Sequence, residues 1–116
     1  MQEKRKADAC VRALTAFLLQ GRAVVDLSKA LSEELGRGWT FVAALQWLSG
    51  QSAQHYFSSL PPDAAVGGVP AAAVTQWVLI AREFCSKLGR VAPTQAEADA
   101  LRKALTSKFD IGTLHA

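Results

Sequence analysis

Apolar residues recur along most of this chain at steps of three and four, the spacing of one face of an α-helix. Ala7, Cys10, Val11, Leu14, Phe17 and Leu18 form the first such stripe, with Asp8, Arg12 and Thr15 on the other side. It predicts a helix from about Glu3 to Gln20, ended by Gly21, since glycine readily takes the left-handed conformation after a helix. Val24, Leu27, Leu31 and Leu35 predict a second helix, with Lys29, Ser32 and Glu33 facing water and Gly36-Arg37-Gly38 as the turn after it. A third helix starts at Thr40, a natural N-cap, and is expected to continue towards Leu60. Its first half, Phe41 to Leu48, is apolar on nearly every side and is expected at the centre of the core. Gly50 interrupts the pattern and marks a kink or an end.

Pro61-Pro62 closes that segment, because the residue before a proline is pushed out of the α region. From 61 to 69 the chain is rich in proline, glycine and alanine, and it reads as the one obvious loop. Pro70 suits the first turn of a fourth helix, where its missing N–H costs nothing. Val74, Trp77, Val78, Ala81, Phe84, Cys85 and Leu88 give that helix its stripe, and Gly89 ends it. Thr94-Gln95-Ala96-Glu97 is a capping box opening a fifth helix to about Phe109. That helix buries Ala98, Leu101, Leu105 and Phe109 and leaves Arg102, Lys103 and Lys108 outside. Ile111 and Leu114 in the tail are available for docking. No segment alternates in the manner of a strand. The expected fold is all-α, about five helices in a bundle or orthogonal array, with residues 1–116 as a single domain.

Size agrees with that pattern, for 116 residues suffice for one core and not two. Abundant alanine and a complete lack of asparagine also favour helix over turn. Charge changes the picture little. Thirteen basic residues against ten acidic ones are mostly interspersed, short of the clustering that marks a nucleic-acid surface. Only Lys4, Arg5 and Lys6 form a run, flanked by Glu3 and Asp8, and it reads first as a solvated helix start. A basic N-terminal helix carrying Lys4, Arg5, Lys6, Arg12 and Arg22 is the alternative, nucleic-acid-associated reading.

The longest apolar runs, Phe41 to Leu45 and Trp77 to Ala81, are far too short to span a bilayer. Lys4–Lys6 ahead of Ala13–Leu19 imitates a signal peptide faintly, but Asp8 and Arg12 break the apolar region. Cys10 and Cys85 sit among apolar residues as structural thiols do. A reducing, intracellular and cytoplasmic setting is the expectation.

Most catalytic and ligand-binding chemistries lack the residues they need in this sequence. His55 and His115 lack a second histidine or a cysteine at ligand spacing, so no metal or cofactor is expected. Glu33 and Glu34 are adjacent on a helix and do not face each other. Neither glycine pair has the context of a phosphate or dinucleotide loop. A helix-turn-helix over Leu27–Leu35 and Trp39–Leu48 has acceptable spacing. Its second helix, however, offers only Thr40 and Gln46 to bases or phosphates. No catalytic constellation emerges, and a non-enzymatic protein is expected.

What stands out is an excess of large rings in one region: Trp39, Phe41, Trp47, Tyr56 and Phe57. Trp39 lies in a turn, while adjacent Tyr56 and Phe57 point different ways on a helix, so one core cannot enclose all of them. Exposed rings mark protein contacts. Trp39, Tyr56 and Phe57, with Leu19 as an apolar residue on the polar side of the first helix, are therefore the expected contact residues. The expected partner is another protein or a second copy, and the expected role an interaction module or a small subunit of a larger assembly.

Overall fold

The computed structural model describes residues 3–88 and 93–109. Gly89, Ile111, Leu114 and His115 lie outside them. Among the described residues the chain forms six helices and one two-residue β-hairpin. In order these are α1 (Glu3–Gln20), α2 (Val24–Leu35), α3 (Phe41–Leu48), α4 (Gln51–Ser58), β1 (Ala65–Val66), β2 (Val69–Pro70), α5 (Ala71–Leu88) and α6 (Gln95–Phe109). The all-α expectation holds, with one helix more than the pattern suggested. Ser49 and Gly50 divide the anticipated third helix, and the extended backbone of Gly50 (φ −90°, ψ 174°) starts α4 in a new direction.

α1, α3 and α5 form the centre, and each packs on the other two. Every residue of the α1 stripe is buried, as are Ala9 and Ala13, because α2, α3, α5, α6 and the hairpin surround that helix. Phe17, Phe41 and Phe84, one from each central helix, meet as a triangle of rings 4.9 to 5.8 Å apart, tilted or edge to face. Trp77 is also fully enclosed, and its indole N–H donates to Thr15 Oγ1 at 2.8 Å. The Thr15 hydroxyl in turn donates to the Val11 carbonyl, so the polar atom that Trp77 brings inside is satisfied.

Short-range chemistry fixes the outer helices. Thr40 caps α3 as expected, its hydroxyl accepting from Ala43 N at 3.0 Å. Ser28 and Ser32, one turn apart on α2, clamp the intervening turn. Ser28 Oγ accepts from Phe41 N at 2.9 Å and the Ser32 hydroxyl donates to the Trp39 carbonyl at 2.6 Å. Ser32 is thus a structural residue and not a solvated one. Thr94 and Glu97 form the reciprocal capping box at the start of α6. Gln95 reaches further, its side-chain oxygen accepting from Val24 N and capping α2. Arg102, expected outside, is half-buried, with its guanidinium carbon 3.6 Å from where a Cβ on Gly21 would stand.

Residues 61–69 are more ordered than a loop. Val66 and Val69 pair antiparallel and are both buried, and Gly67-Gly68 join them with positive φ at both positions, as a type I′ turn requires. The carbonyls of Ala64 and Pro62 accept from Ala71 N and Ala72 N at the start of α5, so helix α5 begins just after Pro70. Gly67 rests directly on α1: its N–H donates to Asp8 Oδ1 at 3.1 Å. A Cβ there would stand 2.6 Å from the Asp8 carbonyl oxygen and 2.9 Å from Arg12 N, both backbone atoms. Gly68 has open space on that side.

Alanine at Gly68 therefore meets only the left-handed backbone penalty, about 1–2 kcal/mol. Alanine at Gly67 adds overpacking against α1, about 1–3 kcal/mol more. Chemical denaturation of the two variants checks this, and equal losses would show that the hairpin does not press on α1.

Candidate interaction surface

Of the six rings outside the central triangle, Trp77 is core and Phe109 ends α6; the other four form a strip linked ring to ring or through Lys6. Trp39 leads into α3, Trp47 lies on the side of α3 away from Phe41 and Leu45, and Tyr56 and Phe57 occupy the last turn of α4. All four are half-buried, packed on the core by one side and open on the other. Trp47 meets Phe57 edge to face at 6.2 Å, and Phe57 meets Tyr56 at 5.7 Å. Lys6 of α1 joins the two indoles, its ammonium lying 5.9 Å from the Trp39 ring centre and 5.7 Å from that of Trp47. Cation–π attraction at this range draws the ammonium to both ring faces. Phe41, grouped with these rings by the sequence, is core.

Of the four expected contact residues, the fold brings three together. Trp39, Tyr56 and Phe57 belong to the strip; Leu19 is exposed (39%) near the other end of α1, which is about 27 Å long. Trp47, which the sequence groups with these rings but not among the contact residues, and Lys6, which it leaves in solvent, complete the strip. Leu79, exposed at 37%, is a further omission. Like Leu19, Leu79 is an apolar residue off its helix's buried stripe, a signal the sequence carries.

The basic residues of the alternative reading are largely engaged within the molecule. Lys4 Nζ binds Asp8 at 2.9 Å, which raises its pKa through the hydrogen bond and the charge. Arg5 donates to the Glu34 carbonyl at 3.0 Å, and Arg12 pairs with the Glu34 carboxylate at 2.6 Å. Lys6 lies 3.6 Å from Glu3 besides facing the indoles. Arg22, exposed beyond the end of α1, lines the same hollow as Arg12 and Glu34. The second helix of the supposed helix-turn-helix, α3, is packed by α1, α2, α4 and α5, and only Ala43, Gln46 and Trp47 escape full burial.

Cys10 and Cys85 are both free thiols. Burial pushes Cys10 up to about 12, with Lys6 pulling it down and Glu34 pushing it up. Burial also raises Cys85, against a hydrogen bond with Ser49 that lowers it. Both are thus held as thiols, the unreactive form. Among the described residues no group of three or more histidines, cysteines or carboxylates converges on a metal position. No helix among them is long and apolar enough to cross a membrane. No protein-family model, no curated protein and no solved structure matches the chain.

The Cys10 thiol gives a pH prediction. Its folded pKa lies above the ordinary cysteine value of about 8.5, so its contribution to stability is complete below that pH. It is lost progressively as pH rises from there towards 12. Denaturant titrations at several alkaline pH values should show wild type losing stability faster than Cys10→Ala. Parallel losses would place Cys10 in water.

Proposed function

We propose that this protein is a helical interaction module, or a small subunit of a larger assembly, which contacts a protein partner or a second copy of itself through the aromatic strip. The observation that carries the reading is a row of half-buried rings packed against the core, Trp47, Phe57 and Tyr56 in edge contact and Trp39 joined to Trp47 through Lys6. Rings of this size leave water readily once a partner supplies an apolar surface, and they lose little side-chain freedom on binding. Their mutual contacts and Lys6 hold them in place beforehand, which lowers the ordering cost of association. The role is non-catalytic and needs no cofactor or metal.

The nucleic-acid alternative is weaker because Lys4, Arg5, Lys6 and Arg12 already have intramolecular partners. A phosphate backbone would have to compete with Asp8, Glu3 and Glu34 for them.

Replacing Trp39 and Tyr56 together with alanine should abolish partner capture from the native source, or self-association seen by sedimentation. The melting temperature should fall less than in Trp77→Ala, which removes a fully buried ring. Wild-type capture should persist as salt is raised, whereas phosphate contacts would weaken steeply. Loss of fold together with binding, or a steep salt dependence, would overturn the reading.

A further inference from the structure

A second surface adjoins the strip and shares Phe57 with it. Between α4 and α5 runs a groove of about 280 Å³, walled by Gln54, Phe57 and Ser58 and floored by Thr75, Val78 and Leu79. It continues over Leu79 and Arg82 into a hollow of about 330 Å³ that ends on Phe109 of α6. The α5 residues involved, from Ala71 to Ser86, lie on one helix face along about 22 Å, or four turns. That is the footprint of a single helix of similar length.

Charge then selects the occupant. Arg82 lines both halves of the groove and is exposed, and among the described residues it makes no ion pair. Its neighbour Glu83 is neutralised by Lys108 at 2.9 Å, which also holds the Glu83 carboxyl below the usual carboxylate range. Apolar side chains, Phe57, Val78 and Leu79 on one side and Phe109 on the other, thus flank a cation that is unpaired among the described residues and stands where the two hollows meet. An amphipathic helix with apolar residues at i, i+4 and i+7 matches the first feature, and a carboxylate between them matches the second.

We propose that this groove binds an acidic amphipathic helix of a partner protein, a proposal that rests on the interaction-module reading and names the partner's chemistry. The probes are two stapled helical peptides of about four turns with the same leucine stripe and one differing central residue, glutamate or lysine. In heteronuclear spectra of the labelled protein, the glutamate peptide should shift amides of α4 and of α5 around Leu79. It should bind about tenfold more tightly than the lysine peptide. Arg82→Glu should reverse that preference with the helical spectrum unchanged, and Leu79→Ser should weaken both peptides. The proposal fails if neither peptide binds, if Arg82→Glu leaves the preference unaltered, or if the shifts centre on Trp39 and Tyr56. It also fails if Leu79→Ser turns a dimer into a monomer, since the occupant would then be a second copy. The interaction-module reading fails separately, when the Trp39 and Tyr56 double variant keeps its partner.

Discussion

Three phenylalanines meet at the centre of this molecule, one from each of α1, α3 and α5, with ring centres 4.9 to 5.8 Å apart. Rings favour tilted and edge-to-face contacts because their faces and edges carry opposite partial charge. Satisfying three such contacts at once requires the three helices to converge at one level. The remaining elements accommodate that requirement. α2 must return to α3 within a short turn, and Ser28 and Ser32 clamp the turn from one side. The hairpin must lie against α1 closely enough to seal its exposed flank, which only glycine at position 67 permits.

The same geometry explains the aromatic strip. With Phe41, Leu45 and Leu48 turned inward, Trp47 is carried to another side of α3. The break at Ser49-Gly50 then swings α4 so that Phe57 comes edge-on to Trp47. The strip is therefore a by-product of closing the centre, held in register by the core without being part of it. Lys6 ties it to α1, so a basic residue that looked solvated has its ammonium drawn towards ring faces. The pairing of Lys4 with Asp8 within α1, and of Arg5 and Arg12 with Glu34 of α2, likewise engages positive charge that composition alone would leave free.

Much of this architecture is legible in the sequence, because each helix announces itself through one buried stripe and a recognisable end. The four α2 stripe residues, the Thr40 cap and the Thr94–Glu97 box are local features, and local chemistry suffices to read them. The hairpin was also signalled, by Gly67-Gly68 between valines, but strands of two residues are too short to alternate. The places of Ser32, Arg102 and Lys6 could not be read, since Trp39, Gly21 and the two indoles beside them lie outside their own helices. Periodicity gives the direction in which a side chain points and not what stands opposite. Periodicity sets Phe41 with Leu45 and Leu48 on one side of α3 and Trp47 on another, and the packing of α1 and α5 decides which side is core.

The central claim is that Trp39 and Trp47 stand outside a core that already encloses Trp77. Incorporating 5-fluorotryptophan gives one fluorine resonance for each of the three, assignable by single Trp→Phe substitutions. On exchanging H2O for D2O, the Trp39 and Trp47 resonances should show a solvent isotope shift and that of Trp77 none, matching half-burial of the first two and complete burial of the third. Three resonances equally blind to the solvent would contradict the account, for the strip would then be core and the surface it offers would not exist.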